Sequence, residues 1–344
     1  MPRVADLRDR SPFYKSLAPL VIWQELARPV DWAAQFGRAA PLSLEIGSGN
    51  GEFLARTASE HPERNYVGVD LRWACIKRTL RNLAKVAGGD DDRSKGRGNV
   101  RLVMEDARPS VERLFAPRSL EQVFVLFPCP WRKEKHEHHR LLRHSFLELL
   151  NNRLVDGGEA LLVTDWTPFR DWTLVQAEGT GLRAEARDVE ARLGTKYERK
   201  WHGRGQRAFH EVRLVKEEHR DAPVLEDIPL NPPHLARIDP DRLELDEVTG
   251  PITITFKESV RDRERGIVMV RTVVVEGPLT QQFWITIARA GDGSWWIVPA
   301  RGCQTVPTAG VQQALEHVAD CARATVANGA ASAASADSVE SPSR

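Results

Sequence analysis

Glu45-Ile46-Gly47-Ser48-Gly49-Asn50-Gly51 sets three glycines at alternate positions behind an acid, where an apolar run hands over to an amphipathic one. Glycines at such a strand-to-helix turn permit a tight bend and a close approach of ligand to backbone. A dinucleotide fingerprint would want its third glycine at position 52, which is Glu52. A helix start that must receive a pyrophosphate disfavours Glu45 and Glu52, whereas a ligand carrying an ammonium and a sulfonium suits them. Asp70 closes the next apolar run, where a carboxylate can accept from both ribose hydroxyls. Asp106 follows the third run and can accept from an adenine amino group. Either Asp could merely cap a helix. Three acids at three successive strand ends point instead to a nucleoside cofactor with a cationic tail.

The elements that must position these residues can be read from periodicity. Strands are predicted at 42–46, 66–69, 100–104, 122–127 and 160–164, and helices at 52–59, 72–87, 140–150 and 169–178. That alternation predicts a doubly wound α/β fold, a parallel sheet covered on both faces with its ligand outside the carboxyl ends of the strands. Residues 1–40 read as an arm and a helix (Pro19 to Phe36), 41–216 as the cofactor domain with a polar loop at 88–98, and 217–241 as a Pro- and acid-rich linker. Beyond it, strands at 252–256, 267–275, 283–289 and 295–298 precede a helix at 311–326. Gly291-Asp292-Gly293 is a hairpin signal, and Trp295-Trp296 is expected in the hairpin core. Residues 242–328 thus form a small α+β domain, and the Ala/Ser stretch 329–344 a disordered tail.

Composition narrows the function classes. No run of eighteen apolar residues is present, so no membrane span is expected, and the first residues lack the features of a secretory signal. Cys75, Cys129, Cys303 and Cys321 lie far apart, which predicts neither a disulfide framework nor a zinc site and fits a reducing cytoplasm. His136, His138 and His139 read as a surface cluster, since no acid or cysteine completes them at ligand spacing, so no metal is expected. The net charge of +1 hides an asymmetry: residues 1–216 carry +8 (37 Lys/Arg against 29 Asp/Glu) and residues 217–344 carry −7 (12 against 19). A basic front half suits a polyanionic partner.

Three further segments follow later strands: Phe127-Pro128-Cys129-Pro130-Trp131-Arg132-Lys133-Glu134-Lys135-His136, then Thr164-Asp165-Trp166, then Gly194-Thr195-Lys196-Tyr197-Glu198-Arg199-Lys200-Trp201. With the Glu-x-Gly-x-Gly-x-Gly turn and its ribose acid, the chain resembles the Rossmann-like S-adenosylmethionine-dependent methyltransferases. Over about Leu42 to Lys216 it resembles the bacterial tRNA (guanine-N7-)-methyltransferase family, which shows Phe-Pro-Asp-Pro-Trp, Thr-Asp-Trp and Thr-Lys-Phe/Tyr-Glu in this order. The resemblance implies a cytoplasmic enzyme, expected to be a monomer, that carries the methyl group of S-adenosylmethionine to N7 of a guanosine in the variable loop of tRNA. Glu45, Gly47, Gly49, Gly51, Asp70 and Asp106 would hold the cofactor. Asp165 and Glu198 would accept from the adjacent N–H donors of guanine, with Thr195 as a further contact and Trp131 or Tyr197 stacking on the extruded base. Lys133, with Arg132, Lys135, Arg140, Lys196, Arg199, Lys200 and Arg204, would meet tRNA phosphates. One position departs from the pattern: Cys129 stands where the family has a catalytic Asp. Guanine N7 carries a lone pair and no proton, so its methylation needs no general base and is compatible with that loss. A Pro-Cys pair at this strand end also resembles the nucleophile of cytosine-5 methyltransferases, and a tRNA-binding homologue with impaired catalysis is a third reading.

Overall fold

The computed structural model describes residues 16–86, 98–206, 208–222 and 227–336; the loop expected at 88–98 (all but its last residue), most of the N-terminal arm and the last eight residues lie outside them. Two compact units divide at Leu225 and Glu226.

In the first unit, five apolar runs form a parallel sheet because their residues are hidden on both faces. They are β1 (Leu42–Ile46), β2 (Asn65–Val69), β3 (Val100–Val103), β4 (Leu120–Leu126) and β5 (Leu154–Thr164). Every residue of β1, β2 and β3 is buried. Two strands that periodicity did not single out extend the sheet: β6 (Leu182–Glu190) and β7 (Ala208–Lys216). The order is β3-β2-β1-β4-β5-β7-β6, and β7 is antiparallel to both β5 and β6. The sheet is therefore mixed rather than wholly parallel. Only Leu182 of β6 is buried, so this solvated edge strand carries no apolar run to read. Strand order reverses between β1 and β4, and that switch point opens a crevice at the strand ends.

Helices α2 (Glu52–Glu60), α3 (Trp73–Val86), α4 (Ala107–Leu114), α5 (His144–Arg153), α6 (Thr167–Ala177) and α7 (Lys196–His202) accompany the strands; a five-residue α1 (Trp32–Phe36) comes first. α3 shows the governing pattern, burying Cys75, Ile76, Thr79 and Leu80 along one stripe. The helix expected from Pro19 to Phe36 is not continuous. A short 3-10 turn at Trp23–Glu25 and then α1 occupy it. Pro29 lacks the N–H a helix needs and biases Arg28 toward extended backbone. Residues Pro19 to Val21 instead bond to Leu102 of β3, with N–H···O distances of 2.8 Å in both directions.

The second unit is an antiparallel sheet covered by one helix. β9 (Ile252–Asp262), β10 (Ile267–Glu276), β11 (Leu279–Arg289) and β12 (Trp295–Pro299) pair in sequence, and β8 (His234–Leu235) joins β12. β8 lies within the stretch read as linker. α8 (Ala309–Ala336) runs past the expected helix end into the expected tail and packs Val311, Ala314, Leu315, Val318, Ala319 and Ala322 on the sheet, each fully buried. Trp295 belongs to this core, but Trp296 is 44% exposed and lies against His234 at 4.4 Å. Among the described residues no helix is long and apolar enough to cross a membrane.

The closest packing constraint near the glycine turn is at Gly51, the residue before α2. It has φ of 68°, and a Cβ there would lie 2.3–2.6 Å from the side chain of buried Thr79 on α3. Gly51→Ala should therefore lower stability by about 2–4 kcal/mol, combining left-handed strain with overpacking. Urea unfolding checks this, and a loss below ~1 kcal/mol would mean the α2–α3 contact yields more easily than its geometry indicates.

Candidate active site

The turn after β1 is built from backbone that only glycine adopts readily, with φ of 73° at Gly47 and 58° at Gly49. Gly47 and Ser48 donate to the Val69 carbonyl at 2.8 and 3.3 Å, which ties the turn to β2. Asp70 completes the tie: Oδ2 accepts from Gly49 N–H and Oδ1 from Arg72 N–H, both at 3.0 Å. Asp106 caps α4, its Oδ1 accepting from Arg108 N–H at 2.9 Å. Capping and cleft lining coexist here, because Asp70 and Asp106 also face a cleft of about 670 Å³ that reaches Cys129 and Asp165. Sequence reading passed over Glu105, which lines the same cleft and whose carboxyl burial pushes up from its ordinary pKa.

Glu45 lies one layer deeper. It is 3% exposed within β1 and lines a smaller cavity that shares Gly47, Gly49 and Tyr197 with the larger cleft. Burial, reinforced by the Asp70 carboxylate and opposed by Arg56, pushes its carboxyl from 4.5 up to about 8. Its Oε2 is buried and has no hydrogen-bond partner. An orphaned acid beside a glycine turn is what an ammonium-bearing nucleoside would relieve, so these residues fit S-adenosylmethionine.

The cleft is also lined by the loop from Phe127 to Trp131. Phe127 and Trp131 hold φ of 52° and 43°, a region that bulky residues seldom enter, and they bracket Pro128-Cys129-Pro130. Cys129 is exposed and lines the cleft. Arg140 supports the loop from behind. It is 5% exposed, donates to the carbonyls of Pro130 (3.0 Å) and Trp131 (3.4 Å), pairs with Glu137 (3.1 Å) and lies over the Trp172 ring at 4.9 Å. It is thus not one of the phosphate-facing cations expected from the basic run. No sequence signal separates it from Arg132 or Lys133, because its burial comes from Trp166 and Trp172 folding over it.

Asp165 lines the cleft with its side chain 12% exposed and pairs with Arg132 at 3.3 Å. Glu198, expected beside it at the guanine edge, is placed otherwise. It is 2% exposed, and its oxygens accept from the backbone N–H groups of Arg192, Leu193 and Thr195 at 2.8–3.0 Å. Together with the Thr195 hydroxyl, which accepts from Glu198 N–H at 3.1 Å, this is a capping box that shapes the start of α7. Thr195 and Tyr197 do reach the cavities, and Tyr197 stacks on Phe127 with centroids 5.9 Å apart. Lys133 is exposed and does not line the cleft. Arg199 is tied to Glu52 at 2.7 Å, and Lys200 and Arg204 lie over Trp201. His139 does line the cleft; its ring is 4.8 Å from that of Trp131.

The methyltransferase family model Methyltransf_4 matches residues 39–211. A tRNA (guanine-N(7)-)-methyltransferase of Chlorobium phaeobacteroides is 37% identical over 181 residues, covering 53% of this chain and 84% of the relative. The chain belongs to this methyltransferase family. A tRNA (guanine-N(7)-)-methyltransferase of Thermus thermophilus is 34% identical over 264 residues, 75% of this chain and 81% of its own length. A solved 16S rRNA (adenine(1408)-N(1))-methyltransferase from Catenulisporales acidiphilia is 18% identical with a TM-score of 0.40, covering 55% of this chain and 94% of that one. The Thermus match is longer than the first unit, so likeness within the family extends into the second.

Glu45 gives this family member a pH signature. A carboxyl raised from 4.5 to about 8 contributes stability that is full below its unfolded value and lost as pH rises through the folded one. The unliganded protein should therefore lose stability between about pH 5 and 8, and Glu45→Gln should flatten that slope. Unfolding free energies across this range would decide it, and parallel slopes in the two proteins would remove Glu45 as the cause.

Proposed function

We propose that this methyltransferase, which transfers a methyl group from S-adenosylmethionine to N7 of guanosine in tRNA, acts on the variable loop and uses Asp165 as the carboxylate that orients the base. The observation that carries the reading is a single cleft lined both by Gly47, Gly49, Asp70 and Asp106 and by Cys129 and Asp165. When bound, S-adenosylmethionine supplies an electrophilic methyl carbon. The N7 lone pair forms the new N–C bond as the C–S bond breaks, its electrons staying on sulfur, and positive charge passes to the purine. No proton is removed, so catalysis is positioning together with stabilisation of that charge. Glu45 would face the cofactor ammonium, Asp70 the ribose hydroxyls, and Asp106 the adenine edge. Asp165 would accept from the N1–H and amino group of guanine, with Thr195 as a further contact. Tyr197 or Trp131, both more than a third exposed, would stack on the extruded base. Glu198 is given a positioning role, holding Thr195 and Tyr197 through the loop it organises. Cys129 shapes the acceptor end.

Nucleoside mass analysis of tRNA treated with the enzyme should find 7-methylguanosine. Cys129→Ser should keep measurable activity, and Cys129→Asp should hold or raise it. Tenacious adducts with 5-fluorocytosine-containing tRNA, or 5-methylcytosine in the digest, would instead make Cys129 a covalent nucleophile. Exposed Lys133 and Lys135 would meet phosphates, so reversing both charges should lower the slope of log affinity against log salt by about one to two. An unchanged slope would place the tRNA path elsewhere.

A further inference from the structure

Away from the cleft, the second unit brings together three metal-capable side chains. His317 and Cys321 stand four residues apart on α8, the spacing that puts side chains on one helix face. Asp246 comes from the segment before β9. His317 Nε2 lies 3.1 Å from Asp246 Oδ1, Cys321 Sγ lies 3.6 Å from that nitrogen, and Sγ lies 3.7 Å from Asp246 Oδ1. Tetrahedral zinc with Zn–S about 2.3 Å and Zn–N and Zn–O about 2.0–2.2 Å separates nitrogen from oxygen by about 3.3 Å and sulfur from either by about 3.6 Å. The observed triangle matches those separations before any ion is added.

The triangle is also held from both sides. Leu243 is buried in the core of the unit, Leu245 and Val248 pack against it, and Val248 and Ile254 exchange N–H···O bonds of 2.9 Å. The anchors of the Asp246 segment are therefore independent of the three ligands. The His317 ring is stacked on Phe256, 5.8 Å away and tilted by 12°. The Asp246 carbonyl oxygen lies 3.2 Å from the same His317 nitrogen. Cys321 and His317 are half-buried while Asp246 is exposed, which leaves an entry path for an ion.

We propose that Asp246, His317 and Cys321 form a zinc site, with a fourth position open to water, that clips the 243–248 segment to α8. Thiolate, imidazole and carboxylate are together a donor set suited to Zn²⁺ rather than to Mg²⁺ or Ca²⁺. Binding forms Zn–S, Zn–N and Zn–O bonds and releases the Cys321 thiol proton to solvent. The expectation of no metal rested on spacing along the sequence, of the cysteines and of the histidines at 136–139. Here a single cysteine suffices because a carboxylate 75 residues away in sequence completes the set.

The test uses the full chain, stripped with a chelator and titrated with Co²⁺ and then Zn²⁺. One Co²⁺ per chain should bind with a thiolate charge-transfer band and visible bands of tetrahedral intensity, and Zn²⁺ should displace it. Cys321→Ser should abolish the charge-transfer band. Asp246→Asn, a change to an exposed side chain outside the core, should weaken Zn²⁺ binding by at least about tenfold, a lower bound set by what outer partners alone contribute. A charge-transfer band that survives Cys321→Ser would assign the metal to another thiol and overturn the proposal. So would equal Zn²⁺ affinity in the wild type and Asp246→Asn, a comparison that remains decisive if Cys321→Ser fails to fold.

Discussion

The Phe127–Trp131 wall of the cleft depends on one buried guanidinium. Arg140 supplies donors to two successive carbonyls of a loop whose flanking residues, Phe127 and Trp131, hold left-handed backbone. Such backbone persists only where surroundings over-determine it. Arg140 provides that surround because its own charge is met by Glu137 and by the faces of Trp166 and Trp172, while Arg108 donates to its backbone carbonyl at 2.9 Å. A buried cation with this many partners is costly to disturb, since removing any one leaves charge uncompensated in a low dielectric. The loop bearing Cys129 is accordingly a wall held by its own hydrogen bonds, which suits a reaction whose barrier is lowered mainly by geometry.

The glycine turn after β1 follows the opposite electrostatic logic. Glu45 and Asp70 are two buried acids, the Asp70 carboxylate adds to burial in pushing the Glu45 carboxyl up, and only Asp70 has its oxygens met by backbone N–H groups. The folded protein therefore stores an unmet acceptor in Glu45. That arrangement favours a cationic ligand and opposes a pyrophosphate, and here the glycine turn differs physically from a dinucleotide-binding one. Stability is given up locally at an acid that a cationic group would satisfy.

The basic residues divide by burial rather than by position in the run. Arg132 and Arg199 spend their charge on Asp165 and Glu52, and Arg140 is interior. Lys133 and Lys135 remain exposed at the rim. A net charge of +8 over residues 1–216 thus overstates the field offered to a polyanion, because neighbouring carboxylates already neutralise part of it.

The sequence by itself determined the sheet strands that carry apolar runs, the glycine turn with its acids, and the order of the motifs around the cleft. Each of these is a local pattern: a buried strand must be apolar, and a left-handed turn needs glycine. It also carried the second unit's hairpins and helix, whose alternation and heptad-like stripe are local as well. What it could not carry were outcomes set by distant neighbours. The helix read at 19–36 lost to pairing with β3 once Pro29 broke its ladder. β6 was silent because an edge strand in water needs no apolar pattern. Glu198 looked like a substrate acid until three backbone N–H groups claimed it, and Arg140 looked like a phosphate contact until two tryptophans closed over it. Asp246 meets His317 and Cys321 only because the sheet returns its segment to α8. Residue type fixes what a side chain can do, but burial and partners decide which of those things it does, and both are properties of the tertiary structure alone.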